Sequence, residues 1–211
     1  MKKIINLVLV SILLFTFTGC GNSHEEEIKS NVNEYFTVLK GGDYAGTSKV
    51  CSEDYNDGFG VKEFYDSLNT EFKNAQMGAT FDKEASEFVK KIMTKIFKSN
   101  NVESVEEKGD TATVIISGEC IDLDSIDNID KEVDLDGIGE EYANEHLTEL
   151  QNIYATQGEE AMNNTIMEAL APIMFDEFEA YVDKANYIQY KMEVTVKNVD
   201  DKWLISNIDS L

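Results

Sequence analysis

Helical periodicity dominates the chain after residue 24, where apolar residues recur every three or four positions. The stripe over residues 25–40 comprises Ile28, Val32, Tyr35, Phe36 and Leu39. Gly41 and Gly42 follow it directly and are typical of the end of a helix. The same spacing predicts helices over residues 61–72 and 81–97. The pattern of residues 43–55 indicates a short helix or a turn.

Near the end of the chain the apolar and polar residues alternate strictly, which predicts a half-buried strand. One face of this strand carries Tyr190, Met192, Val194 and Val196, and the other carries Lys191, Glu193, Thr195 and Lys197. Asp200 and Asp201 favour a turn, and residues 203–208 supply a returning strand. An earlier hairpin is predicted over residues 102–106 and 111–123, on either side of the turn sequence KGD.

Two further helical patterns lie between the hairpins, over residues 138–154 and 162–182. Pro172 lies in the second, and we expect it to kink or break that helix because it lacks a backbone N–H. The sequence therefore predicts an α+β domain over residues 28–211, with N-terminal helices packed on a curved antiparallel sheet of about four strands. An acidic loop and a helical insertion, residues 124–185, separate the two hairpins.

The first residues have the anatomy of a bacterial export signal, with Lys2 and Lys3 followed by an apolar block over residues 4–17. A helix that spans a bilayer needs roughly 20 apolar residues, so this block is too short for a retained transmembrane anchor. A plainly secreted protein remains an alternative.

The sequence FTGC, which ends at Cys20, resembles the bacterial lipobox, although Phe17 replaces the usual Leu. This resemblance implies that residues 1–19 are a signal peptide and that Cys20 carries diacylglycerol and palmitate. Two acyl signals anchor a protein stably. We therefore expect a lipoprotein at the outer face of the cell membrane, with residues 20–27 as a tether.

The charge is strongly acidic, with 18 Lys and no Arg against 41 Asp and Glu, and a formal net charge of −23. Loss of Lys2 and Lys3 with the signal would leave 16 basic against 41 acidic residues, a net charge of −25. Such a surface repels phosphate backbones and lacks the guanidinium fork that grips them, which excludes nucleic acid as a partner.

Two segments resemble small extracytoplasmic lipoproteins of low-GC Gram-positive bacteria, whose domain has the cone-shaped fold of nuclear transport factor 2. The first is "YFTVLKGGDYAGTSKVCSEDY", where a helix ends in a glycine–aspartate break, and the second is the closing strand "DDKWLISNI". The resemblance implies helices packed on a curved sheet. It implies no particular activity, because members of this group largely lack an assigned one.

An acidic run over residues 122–141 suggests calcium, since hard cations prefer oxygen ligands. Its tightest part, "EVDLDGIGEEYA", fits the calcium-loop pattern with Gly137 at the turn, but Ala143 stands where the bidentate Glu belongs. A solvated acidic loop is the simpler interpretation, so we predict no metal site.

Once Cys20 is acylated, Cys51 and Cys120 are the remaining thiols, and an extracytoplasmic location would permit a disulfide between them. A small buried cysteine is the alternative for each.

Catalytic signals are weak, because His146 is the only histidine well inside the predicted fold and no nucleophile motif surrounds it. We predict no catalytic residues and no cofactor. A methionine-rich and aromatic set in the second inserted helix could line an apolar groove, although the same spacing suits an ordinary core helix: Met162, Met167, Met174, Phe175 and Phe178.

The leading hypothesis is a module that binds a small apolar ligand or an envelope protein segment on the concave face of the sheet. The alternatives are an enzyme that uses a carboxylate in that cone and an acidic structural or cation-binding envelope protein.

Overall fold

The computed structural model describes residues 23–126 and 129–211, so the predicted signal peptide and Cys20 lie outside the described residues. The helices are α1 (Glu25–Lys40), α2 (Val61–Ala75), α3 (Ala79–Ile96), α4 (Ile129–Glu132), α5 (Leu135–Glu145), α6 (Leu147–Gln157) and α7 (Glu159–Val182). The strands are β1 (Cys51–Asp57), β2 (Phe97–Lys108), β3 (Thr111–Ile121), β4 (Tyr187–Val199) and β5 (Lys202–Ser210). Short 3-10 helices cover Tyr44–Lys49 and Leu123–Ser125.

The fold is α+β, as predicted, but the sheet is mixed and has five strands in the order β1-β5-β4-β3-β2. The prediction of about four antiparallel strands is wrong because it missed β1, which pairs in parallel with β5. In β1 only Cys51 is fully buried, and the rest of "CSEDYND" is polar or half-buried. An edge strand of this kind is held by backbone pairing, so it carries little apolar periodicity.

Both hairpins form as predicted. The β2–β3 turn has Gly109 at φ 65°, and the β4–β5 turn places Asp200 at φ 51° and Asp201 at φ 61°. Two consecutive left-handed residues match the right-handed twist of the flanking strands, and Asp tolerates that conformation better than most side chains.

Helix α1 spans residues 25–40 as its apolar stripe predicts, and its first turn overlaps the predicted tether, residues 20–27. Glu25, Glu26 and Glu27, which the sequence interpretation placed in a tether, form the first turn of α1. Carboxylates are favourable there because the helix N-terminus carries partial positive charge.

The inner face of the sheet is filled. The ring of Phe36 on α1 lies 5.0 Å from that of Phe97, and Phe59 lies 4.8 Å from Phe97 and 5.1 Å from Tyr190. These edge-on aromatic contacts form a packed core on the concave face where the leading hypothesis placed a ligand or a protein segment.

The helical insertion between β3 and β4 differs from the prediction in two ways. The single pattern over residues 138–154 forms two helices, α5 and α6, which meet at His146. Conversely, α7 continues through Pro172, so the proline does not break it. Packing of α7 against α3, α5 and α6 compensates for the backbone hydrogen bond that proline cannot donate.

Candidate functional site

An apolar cavity of about 400 Å³ lies among α2, α3, α7 and the start of the insertion. We call it the apolar cavity. Its lining comprises Phe64, Ser67, Leu68, Glu71, Phe72, Phe88, Ile92, Ile126, Ile129, Leu135, Phe178 and Val182. Ten of these twelve side chains are hydrocarbon or aromatic, which is typical of sites for small apolar ligands.

The α2 wall is only partly covered. Phe64, Leu68 and Phe72 follow one another at intervals of four residues and therefore lie on one face of the helix. All three are half-buried, whereas Val32 and Leu39 on the corresponding face of α1 are completely buried. The apolar face of α2 thus borders open space instead of packing fully against a neighbour.

The start of α2 is fixed by Asp57 at the end of β1. The Lys62 N–H donates to Asp57 Oδ2 at 2.7 Å, and the Phe59 N–H donates to Asp57 Oδ1 at 3.2 Å. Gly60 between them has φ 70°, a conformation that costs little without a side chain. The carboxylate therefore satisfies backbone donors at a helix N-terminus and sets the direction of the α2 wall.

The floor of the cavity is rigidly packed. Phe88, Ile92 and Val182 are each less than 5% exposed. The Phe88 ring lies 6.1 Å from Phe72 and 5.9 Å from Phe178. A fixed floor beneath a partly uncovered wall makes a preformed pocket.

Ion pairs hold the two helices of the floor together. Lys91 Nζ on α3 lies 2.5 Å from Glu179 Oε2 on α7, and Lys95 contacts both Glu179 and Asp183. Hydrogen bonding to Lys91 lowers the pKa of Glu179, so this carboxylate stays ionised at neutral pH.

The polar groups of the apolar cavity lie at its mouth on α2. Ser67 Oγ donates a hydrogen bond to Glu71 Oε1 at 3.3 Å, and both side chains are exposed. The described lining contains no lysine or histidine. The fixed charge at the mouth is therefore negative.

A second depression of about 470 Å³ lies beside the apolar cavity, and we call it the acidic groove. Its lining comprises Glu132, Val133, Asp134, Gly137, Ile138, Glu141, Glu177, Tyr181 and Lys184. The two pockets share walls, because consecutive residues line one and then the other: Asp134 and Leu135 at the start of α5, and Glu177 and Phe178 on α7.

The segment compared with a calcium loop forms a capped helix. The Gly137 N–H donates to Asp134 Oδ1 at 2.9 Å, so Asp134 caps the N-terminus of α5. Among the side chains that the structure describes, no group of three or more His, Cys, Asp or Glu residues is arranged to hold a metal ion.

The two cysteines are free thiols, so the hypothesised disulfide is absent. Cys51 is in β1 and Cys120 is in β3, and two strands lie between them. Three strand spacings of about 4.8 Å place them at least about 14 Å apart across the sheet, whereas a disulfide needs Cα atoms within about 7 Å. Burial raises the pKa of the Cys51 thiol to about 12.

Sequence reasoning missed the polar cluster around Asp57, because its strand was not recognised. The hydroxyl of Tyr35, a fully buried side chain, lies 3.5 Å from Asp57 Oδ1, and the hydroxyls of Tyr44 and Tyr55 are 3.2 Å apart. Burial raises the pKa of Asp57, while its backbone hydrogen bonds act in the opposite direction. The only advance signal is an Asp just before Gly58.

His146 lies at the junction of α5 and α6, stacked on Tyr142 at 4.3 Å between ring centroids, with its Nδ1 3.3 Å from Glu149 Oε2. These contacts stabilise a helix boundary. Of the methionine and aromatic set, Phe178 lines the apolar cavity and Phe175 is buried in the core against Phe81 and Phe88.

None of the helices in the described part of the chain is both long and apolar enough to span a bilayer. No family model, curated protein or solved structure matches the chain.

Proposed function

We propose that this chain is a lipoprotein, anchored through Cys20 at the outer face of the cell membrane, whose domain binds a small apolar ligand. The observation that carries the binding role is the apolar cavity, with about 400 Å³ of space and ten apolar side chains around it. Sites for small molecules have volumes of about 300–1,000 Å³ and an apolar lining with few polar groups.

The ligand lies among helices in this proposal, away from the sheet face. Phe36, Phe59 and Phe97 fill the inner face of the sheet, whereas α2, α3, α7 and the insertion leave space between them. A fold like the cone of nuclear transport factor 2 is also part of the proposal. It is supported by α1, which ends before Gly41, and by "DDKWLISNI", which forms most of β5.

An enzyme is the second candidate, and the half-buried Asp57 beside Tyr35, with its raised pKa, is the observation that favours it. A buried carboxylate with a raised pKa is typical of general bases. The capping bonds from Phe59 and Lys62 account for the same carboxylate structurally, so the binding role is the better supported function.

The binding role is tested with the full-length lipoprotein in phosphatidylcholine nanodiscs, titrated calorimetrically with phenylbutanol, with empty nanodiscs subtracted. We expect saturable binding to the wild type. Ser67→Trp places an indole at the cavity mouth and should abolish it. Thr70→Trp, exposed on the same helix but outside the lining, should bind as the wild type does. Equal heats from the wild type and Ser67→Trp would contradict the proposal.

The anchor is tested separately in the membrane fraction. Cys20→Ser should remove the acyl chains and block cleavage before residue 20, which intact mass and labelling with a palmitate analogue both detect. A Cys20→Ser protein with the same mass and labelling as wild type would overturn lipidation at this residue.

A further inference from the structure

The apolar cavity and the acidic groove are adjacent pockets, one lined by apolar side chains and the other mainly by carboxylates. Phe178 and Val182 on α7 line the cavity, while Glu177 and Tyr181, each one residue before, line the groove. Consecutive residues on a helix point about 100° apart, so this helix separates the two pockets with a single wall. A molecule that fills the cavity and extends past α7 would therefore meet the carboxylates of the acidic groove.

Among the described lining residues of the two pockets, carboxylates outnumber lysines. The groove has Glu132, Asp134, Glu141 and Glu177 against Lys184, and the cavity mouth adds Glu71. Glu71 forms no ion pair with any lysine whose side chain the structure describes. The net charge of −23 adds a long-range field of the same sign.

We propose that the ligand of this site is a small amphiphilic cation. Its apolar body lies in the apolar cavity, and its ammonium or similar group lies at the acidic rim, which comprises Glu71 and the carboxylates of the acidic groove. This inference rests on the proposed binding function and specifies its ligand class. An anionic amphiphile such as a fatty acid is rejected, because its carboxylate would meet Glu71 at the cavity mouth or a groove in which four carboxylates outnumber the single described lysine, Lys184.

The size of the preference for a cationic head group depends on how exposed the carboxylates are to water. Glu71 is exposed, and exposed ion pairs contribute little because water and salt screen them. Removing one such pair corresponds to a loss of about two- to fivefold in affinity. The apolar body supplies most of the affinity, and the acidic rim supplies the choice between head groups.

The test compares phenylbutylamine, phenylbutanol and phenylbutyrate, which share one apolar body and differ in head-group charge. Each is titrated into the full-length lipoprotein in phosphatidylcholine nanodiscs at low salt, with empty nanodiscs subtracted. We expect the order amine, alcohol, carboxylate from tightest to weakest. The gap between amine and alcohol should shrink at high salt.

Two variants locate the cation. Glu71→Gln removes charge at the α2 mouth, and Glu177→Gln removes it from the groove. At least one should weaken phenylbutylamine by about two- to fivefold more than it weakens phenylbutanol. Asp66→Asn, exposed on the opposite face of α2, is the matched control and should change neither probe. Circular dichroism verifies that each variant is folded.

The outcomes separate the two proposals. Binding of all three probes with equal affinity, or an amine preference that neither Glu71→Gln nor Glu177→Gln reduces, would overturn the cationic ligand and leave the apolar site standing. If none of the probes binds, the binding function itself fails and this inference fails with it.

Discussion

His24, just before the first helix, is bonded to Glu107, 83 residues later on β2, with His24 Nδ1 2.9 Å from Glu107 Oε1. The His24 backbone N–H also donates to Glu107 Oε2 at 3.0 Å. The imidazole lies 5.5 Å from the ring of Trp203 on β5. These contacts tie the start of α1 to the sheet, next to the end of the segment that the proposed lipid anchor would hold.

This contact should depend on pH. The hydrogen bond to Glu107 raises the pKa of His24 above 6.5, and the same bond lowers the pKa of Glu107 below 4.5. The stability that protonated His24 contributes is fully present below pH 6.5 and is lost as the pH rises through its folded-state pKa. The stability that ionised Glu107 contributes is fully present above pH 4.5 and is lost as the pH falls through its lowered folded-state pKa. The contact is therefore strongest between about pH 4.5 and 6.5.

NMR titration of the histidine ring protons measures this effect. In Glu107→Gln the pKa of His24 should fall towards 6.5, because the hydrogen bond that raises it is weakened. A His24 titration curve identical in both proteins would show that the contact is not formed in solution.

Substitution of Ile116, which is fully buried on β3, should destabilise the sheet core. Ile116→Ala removes buried methylene groups and leaves a cavity, which costs about 2–5 kcal/mol of unfolding free energy. Its neighbour Ile115 points to the other face and is only half-buried, so Ile115→Ala should cost clearly less. Urea unfolding curves give both values, and equal losses would mean that the strand faces are assigned wrongly.

Asp57 should matter for stability through the start of α2. Asp57→Ala removes the acceptor for the Lys62 and Phe59 N–H groups, and loss of a cap of this kind costs about 0.5–2 kcal/mol. Asp54→Ala, at an exposed position on the same strand, is the control and should be close to neutral. If thermal melting shifts equally in both variants, the capping role is wrong.

The two thiols should react at very different rates. Cys51 is buried with its pKa raised to about 12, so it is protonated and inaccessible at neutral pH, whereas Cys120 is half-buried. Iodoacetamide on unreduced protein should modify Cys120 first, and both thiols should react after unfolding in urea. Intact mass reports the number of labels, and an unfolded, unreduced protein that takes up neither label would demonstrate a disulfide.

Periodicity predicted the helices and hairpins well because each is specified by nearby residues. The stripe of α1 and the alternation of β4 are repeated signals over many positions, and Asp200 and Asp201 suit the turn that joins β4 to β5. β1 was missed, because "CSEDYND" has one buried apolar residue and is a strand only where β5 is available for pairing. The continuity of α7 through Pro172 likewise depends on packing against neighbouring helices.

By itself the sequence determined the α+β class, the acidic charge and the two hairpins, since composition and local spacing suffice for these. Tertiary structure alone decided where the apolar surface stays uncovered. Phe64 on α2 and Phe178 on α7 are 114 positions apart, and their spacing shows that each lies on an apolar face without showing what packs against it. The aromatic side chains of α1 and β2 fill the sheet face, so the remaining space lies beneath α2, beside the acidic insertion.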